Sequence, residues 1–189
     1  MLRLYNSDGS EASLQEIEYL ETLSSISIEY GRTEGASYYL ARIPKYSING
    51  KKIVPKVAIT SADGAIEGKK TSTLDYAKRE NTIFTLNAGL FDMSTNTPLG
   101  QTIINGIVIT NMPMTDDNGT AISENECYPL CINEDGDLFA PYKRNVDADY
   151  MVSAGVTNAV TAWGKFIDNF QKCDSTVFDE IVHSGPYIR

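Results

Sequence analysis

The 189-residue chain holds one histidine and three cysteines, and this scarcity removes a class of function. A single histidine, His183, cannot supply a two-histidine metal site, and an odd cysteine count cannot close a tetrahedral nitrogen–sulfur site within one chain. No metal site and no cofactor are therefore expected. His183 remains either a catalytic acid or a buried, hydrogen-bonded side chain. Cys127 and Cys131, four residues apart, either bridge across a turn or are two small core residues, and with Cys173 at least one thiol stays unpaired. Basic residues are also scarce: 16 Lys and Arg against 25 Asp and Glu give a net charge of −9. The basic clusters are pairs only (Lys51-Lys52, Lys69-Lys70, Lys78-Arg79, Lys143-Arg144), too few to neutralise a phosphate backbone, which argues against nucleic acid. An anionic polymer would suit this chain only at a locally positive site.

No window approaches the roughly 18 consecutive apolar residues of a membrane span. The start, Met1-Leu2-Arg3-Leu4-Tyr5, lacks the basic and long apolar regions of a signal peptide. Repeats and low-complexity stretches are absent. What is present is ordinary globular material: 42% hydrophobic and 22% charged residues, with prolines and glycines dispersed, enough for a real core.

Pattern divides the chain into residues 1–30, a short strand and an acidic helix, and residues 31–189, a β-rich domain. Leu2-Arg3-Leu4-Tyr5 before Asp8-Gly9 reads as a strand and turn. Ser13 and Glu16 form a capping-box pattern ahead of Leu14, Ile17, Leu20 and Leu23 at near-helical spacing. Glutamates occupy much of the rest of that surface, so the helix should pack one face on the domain or on a partner chain. Strands are expected at residues 26–30, 38–43 and 53–59, the last near an edge because of Pro55, with Asn49-Gly50 as the turn between the latter two. A short helix capped by Ser72 and Asp75 should precede a central strand at residues 82–86. A hairpin about Asn105-Gly106 follows, then a polar loop over 114–125 and a second hairpin about Asp135-Gly136. Ala159, Ala162, Trp163, Phe166, Ile167 and Phe170 keep a 3, 1, 3, 1, 3 spacing that predicts a helix, its aromatic stripe core or, for Trp163, a glycan-stacking side chain. Strands linked by short turns predict an α+β fold with a curved, largely antiparallel sheet and a few covering helices.

One stretch stands apart. After the apolar run Ile83-Phe84-Thr85-Leu86 come Asn87-Ala88-Gly89-Leu90-Phe91-Asp92, then Pro98-Leu99-Gly100, then Asn105-Gly106 opening a β-branched run. Asn87 and Gly89 at a strand end suit a backbone lying close to a ligand. Their order resembles the phosphodiester glycosidase family, the domain of N-acetylglucosamine-1-phosphodiester α-N-acetylglucosaminidase. The similarity extends over about residues 38–189, through Cys131 to Leu138 around Asp135-Gly136, through Asn158-Ala159-Val160 and Phe166 to Asn169, and through Ser184-Gly185-Pro186-Tyr187-Ile188-Arg189.

The resemblance implies a hydrolase that cleaves a sugar 1-phosphodiester in a glycan or cell-wall polymer. Such chemistry needs charge neutralisation at the leaving phosphate, a carboxylate or water at the anomeric carbon, and donors for the sugar hydroxyls. It implies Asp92 and Arg189 as catalytic groups and Asn87, Gly89 and Asn105 as substrate-binding groups, to which the aromatic stripe adds Trp163 as a candidate for stacking on a sugar. Asp92 has an alternative as a loop-holding carboxylate, and Asn105 as a turn residue. The family's Asp-Gly-Gly-Gly-Ser motif is absent, which reads as a domain cut in its middle. On that reading the isolated chain is inactive or nearly so, and self-associates or is completed by a C-terminal segment. The alternative is a non-catalytic glycan-binding or structural module of a phage tail or baseplate. Relatives in the family are usually exported or lumenal, so a location outside the cell or on a virion is favoured over the cytoplasm.

Overall fold

A computed structural model describes residues 8, 10–58, 71–92, 94–112, 127–141, 146–163, 167–168 and 171–172. The fold is mixed α+β: a two-stranded and a five-stranded antiparallel sheet with a few helices, neither sheet closed, and a further two-stranded ribbon, Ile167–Asp168 with Gln171–Lys172. The chain divides into two compact units, Met1–Val54 with Ala77–Thr85, and Pro55–Tyr76 with Leu86–Arg189.

In the first unit, helix α1 (Leu14–Ser25) begins where the capping box predicts. The Ser13 hydroxyl accepts from the Glu16 N–H at 3.2 Å, and the Glu16 carboxylate accepts from the Ser13 N–H at 2.8 Å. Within the chain the apolar face of α1 is not covered: no residue of α1 is buried, and Leu14, Leu20 and Leu23 are exposed. Strands β1 (Ser27–Thr33) and β2 (Ala36–Arg42) form a hairpin in which Tyr30 faces Tyr39 and Gly31 faces Tyr38. The Asn49-Gly50 turn forms, with Gly50 donating to the Ser47 carbonyl at 2.9 Å and Tyr46 bridging Lys52. The strand expected over 53–59 does not form in its described part, residues 53–58. Helix α2 (Thr73–Glu80), whose residues are divided between the two units after Tyr76, starts at the Ser72 cap, whose hydroxyl accepts from the Asp75 N–H at 3.0 Å.

The second unit is organised by one strand. Its sheet runs β4-β3-β7-β5-β6, where β3 is Gln101–Ile104, β4 Ile107–Asn111, β5 Cys127–Asn133, β6 Leu138–Phe139 and β7 Val156–Trp163. Each predicted hairpin is there: β3–β4 turns on Asn105 and Gly106, both at positive φ (51° and 78°), and β5–β6 turns on Asp135-Gly136. β7 inserts between the two hairpins, pairing Ala159 with Ile103 on one side and with Cys131 on the other. That row, Ile103-Ala159-Cys131, is fully buried, and Ala148 and Met151 of helix α3 (Ala148–Ser153) close over it with Val156. Small Ala159 between two larger neighbours lets α3 approach.

Two sequence expectations fail here for stated reasons. The helix predicted from residue 158 is instead β7. Its 3, 1, 3, 1, 3 spacing depended on Phe166 and Phe170, which lie outside the described residues, whereas Val156, Thr157, Val160 and Thr161 are β-branched and suit a strand. Buried at five of the seven positions Val156 to Ala162, β7 shows no alternation to read. The strand predicted at 82–86 is also absent; the segment is irregular and Leu86 is 65% exposed. Cys127 and Cys131 lie four residues apart on β5, roughly 13 Å by strand rise, so the bridge between them is excluded and Cys131 is a free, buried thiol. The strand expected at residues 2–5, the turn at Gly9, the loop over 114–125, Cys173, His183 and the segment 184–189 lie outside the described residues.

Candidate functional site

The stretch from Asn87 to Gly106 is fastened to β7 at three places. The Leu90 N–H donates to the Thr161 carbonyl at 3.1 Å, and Gly89 lies against Val160. A Cβ on Gly89 would stand 3.3 Å from Val160 Cβ, so this glycine permits a close approach of the loop to the strand, on the face opposite Ala159. Gly100, at φ +70°, is more constrained still: a Cβ there would fall 2.2 Å from Thr161 Oγ1. The Thr161 hydroxyl fills that space because it accepts from the Gln101 N–H at 2.7 Å and sits 3.2 Å from the Gln101 carbonyl. Third, Gly106 donates to the Thr157 carbonyl at 2.7 Å and Asn105 N–H to Asn158 Oδ1 at 3.3 Å.

Asn158 is the buried polar residue of this arrangement, 4% exposed. Its Oδ1 also accepts from the Val57 N–H at 3.3 Å, and its Nδ2 donates to Thr157 Oγ1 at 3.3 Å. One carboxamide thus satisfies two backbone donors from distant segments.

Between these anchors the loop is closed on itself. Phe91 bridges Pro98, Leu99 donates to the Leu90 carbonyl at 2.9 Å, and Asp92 donates to the Thr97 carbonyl at 2.9 Å. Asp92 Oδ1 accepts from the Ser94 hydroxyl and N–H, both at 2.6 Å, and from the Thr95 N–H at 3.2 Å. These bonds, the Ser94 hydroxyl first, hold the Asp92 carboxyl below the usual carboxylate range. Asp92 is therefore ionised at neutral pH and is not placed to be a general acid.

The predicted site residues fall as follows. Asn87, Gly89 and Asp92 share one loop, with Asn87 exposed at its start. Asn105 is exposed at the tip of the β3–β4 turn, two to three strand positions further along β7 than the Gly89 contact, about 7–10 Å by strand rise. Trp163 ends β7. Arg189 lies outside the described residues. Among the described residues no three His, Cys, Asp or Glu side chains group to hold a metal ion, and no helix is long and apolar enough to cross a membrane.

No family model, no curated protein and no solved structure matches the chain. The residues that position the loop were only half visible in the sequence. Asn158 belongs to the Asn158-Ala159-Val160 stretch, but nothing in the sequence marks it as buried. Thr161 had no signal at all, because the reason for Gly100 is a side chain 61 residues away.

Proposed function

We propose that the loop from Asn87 to Asp92, with Asn105 of the β3–β4 turn anchored further along the same strand β7, forms one wall of a site for a sugar 1-phosphate, and that the chemistry is hydrolysis of a sugar 1-phosphodiester in a glycan or cell-wall polymer. The observation that carries the reading is the loop's construction. An exposed asparagine stands two residues before Gly89, which lies against Val160, and three before Leu90, which is hydrogen-bonded into the central strand, so an uncommitted polar side chain sits next to anchored backbone. Its support from sequence is the order Asn87-Ala88-Gly89, Asp92, Pro98-Leu99-Gly100, Asn105-Gly106, which resembles the phosphodiester glycosidases.

In this reading the Asn87 carboxamide takes a sugar hydroxyl or phosphate oxygen, the Gly89 N–H lies against the same ligand, and Trp163 stacks on a sugar ring. Asp92, ionised, serves as a charge or nucleophile at the anomeric centre rather than as an acid. Phosphate is a good leaving group once its charge is neutralised, which is the part given to Arg189. A second reading has a specific observation behind it. Three donors converge on Asp92 Oδ1 from within its own loop, as suits a carboxylate that shapes a non-catalytic glycan-binding module.

One experiment separates the readings. The protein and its Asn87→Ala variant are incubated with a chromogenic N-acetylglucosamine 1-phosphodiester, and both release and binding are followed. Release that Asn87→Ala abolishes supports the hydrolase. Binding without release, weakened by the same substitution, keeps the Asn87 site and supports the module unless an added C-terminal segment restores release. Neither release nor binding sensitive to Asn87 overturns both.

A further inference from the structure

The β1–β2 hairpin has two unlike faces. Directly paired residues of antiparallel strands share a face, so Ile28, Tyr30, Arg32, Ser37, Tyr39 and Ala41 lie together. The opposite face carries Glu29, Gly31, Tyr38, Leu40 and Arg42. On that opposite face the charges are neutralised, Arg42 Nη1 bonding Glu29 Oε2 at 2.8 Å, and the Tyr38 ring lies over Gly31. On the first face Tyr30 and Tyr39 are 58% and 75% exposed, with ring centroids 5.2 Å apart and planes tilted by 48°. The Tyr30 hydroxyl is 3.2 Å from Ser37 Oγ, and Ser37 pairs directly with Arg32. Arg32 is exposed and has no ion pair or hydrogen bond with another side chain of the hairpin. The nearest acid in sequence, Glu34, belongs to the turn.

We propose that this face is an accessory binding platform for a phosphorylated glycan, sugar rings stacking on Tyr30 and Tyr39 while Arg32 takes a phosphate. A pyranose ring has an apolar C–H face and a hydroxyl rim, which matches tyrosine rings whose tips are polar. A free guanidinium beside the rings selects a phosphate or carboxylate over a neutral sugar by paired hydrogen bonds. In a chain of net charge −9, a cation with no ion pair among the described residues, beside two exposed rings, marks the kind of locally positive spot an anionic polymer requires. That same net charge disfavours a second copy of the chain as the occupant. The proposal rests on the sugar-phosphate reading, so its test reads binding rather than turnover.

Binding is measured for a tetramer of N-acetylglucosamine joined by phosphodiester links, for chitotetraose, which has the same sugars without phosphate, and for inorganic phosphate alone. The phosphodiester tetramer binds more tightly than chitotetraose and increasingly so as salt is lowered. Tyr39→Ala weakens both tetramers by about tenfold, the order seen for loss of one stacking ring. Arg32→Gln weakens only the phosphodiester tetramer, by about fivefold, in line with one exposed charge-assisted contact. Inorganic phosphate shows no saturable binding. Affinity for the phosphodiester tetramer that neither substitution moves overturns the platform, as does an equal effect of Arg32→Gln on chitotetraose. A concentration-dependent dimer lost in Tyr39→Ala also overturns it, since the face is then a contact between copies. Both positions are exposed, and circular dichroism of each variant establishes that the fold is retained. If Asn87→Ala leaves binding of the monomeric chromogenic substrate unchanged but the tetramer binds as described, the platform stands and the Asn87 site falls.

Discussion

Two hairpins of the same construction have opposite fates in this molecule. β3–β4 is short, four and five residues, yet Ile103 and Thr102 are buried because β7 flanks it and α3 covers it. β1–β2 is longer, seven residues in each strand, and richer in tyrosine, yet no residue in it is buried. A two-stranded ribbon alone is marginal in water; in this one seven paired positions are joined across the strands by the Tyr30–Tyr39 and Glu29–Arg42 contacts. Strand-forming composition therefore does not decide burial; a third strand does. The hairpin that is buried serves to hold a loop, and the one left exposed has side chains free to meet a ligand.

The sharpest way to break this contrast is a matched pair of truncations. Ile103→Ala should cost about 2–5 kcal/mol, the range for deleting a fully buried aliphatic side chain, measured by denaturant unfolding. Ile28→Ala, on the exposed hairpin, should fall within about 0.5 kcal/mol of the parent. Equal costs would show that β1–β2 is buried after all.

A second pair uses glycines of similar backbone conformation. Gly100→Ala should cost about 2–4 kcal/mol, combining left-handed strain with a collision against Thr161. Gly35→Ala, at φ +86° with nothing within 4 Å, should cost only about 1–2 kcal/mol from the strain alone. If the two are equal, Gly100 is a turn glycine only and the packing on β7 is not what fixes it.

Cys131 sharpens the picture of the core. Burial pushes its thiol from 9.0 up to about 11, which leaves roughly a hundredfold less thiolate at pH 8. Peptide-resolved alkylation should therefore find Cys131 slow in the native protein and ordinary in denaturant. Fast native labelling would mean that α3 does not close over the Ile103-Ala159-Cys131 row.

The smallest expected effect is at Asp92. Its carboxyl titrates lower in the folded loop than in the unfolded chain, so its contribution is present above the unfolded value and is lost as the pH falls through the folded one. The Ser94 amide resonance should report that step below the usual carboxylate range, and a transition at or above it would show that the Ser94 and Thr95 bonds are not made in solution.

The α+β class, both hairpins of the larger sheet, the two helix caps and the Asn105-Gly106 turn could all be read from sequence because each is a local choice. Capping boxes and Asn-Gly turns act over three or four residues, so their chemistry is written where it is used. What could not be read is what depends on distant partners. β7 looked helical because a strand buried on both faces has no period, and residues 82–86 looked like its replacement because an apolar run carries no record of whether a neighbouring strand exists. In the candidate site the choice of Asn87, Gly89 and Asp92 was visible as a pattern. The reasons for Gly89 and Gly100 were not, since Val160 and Thr161 supply them from across the sheet.

The most direct test of the account is amide chemical-shift mapping with an N-acetylglucosamine 1-phosphodiester. The account predicts saturable shifts at Asn87, Ala88 and Gly89, smaller ones at Asn105, and their loss in Asn87→Ala with the Leu90 amide still protected from exchange by its bond to Thr161. Shifts that saturate elsewhere in the larger unit while residues 87–89 stay unmoved would contradict it.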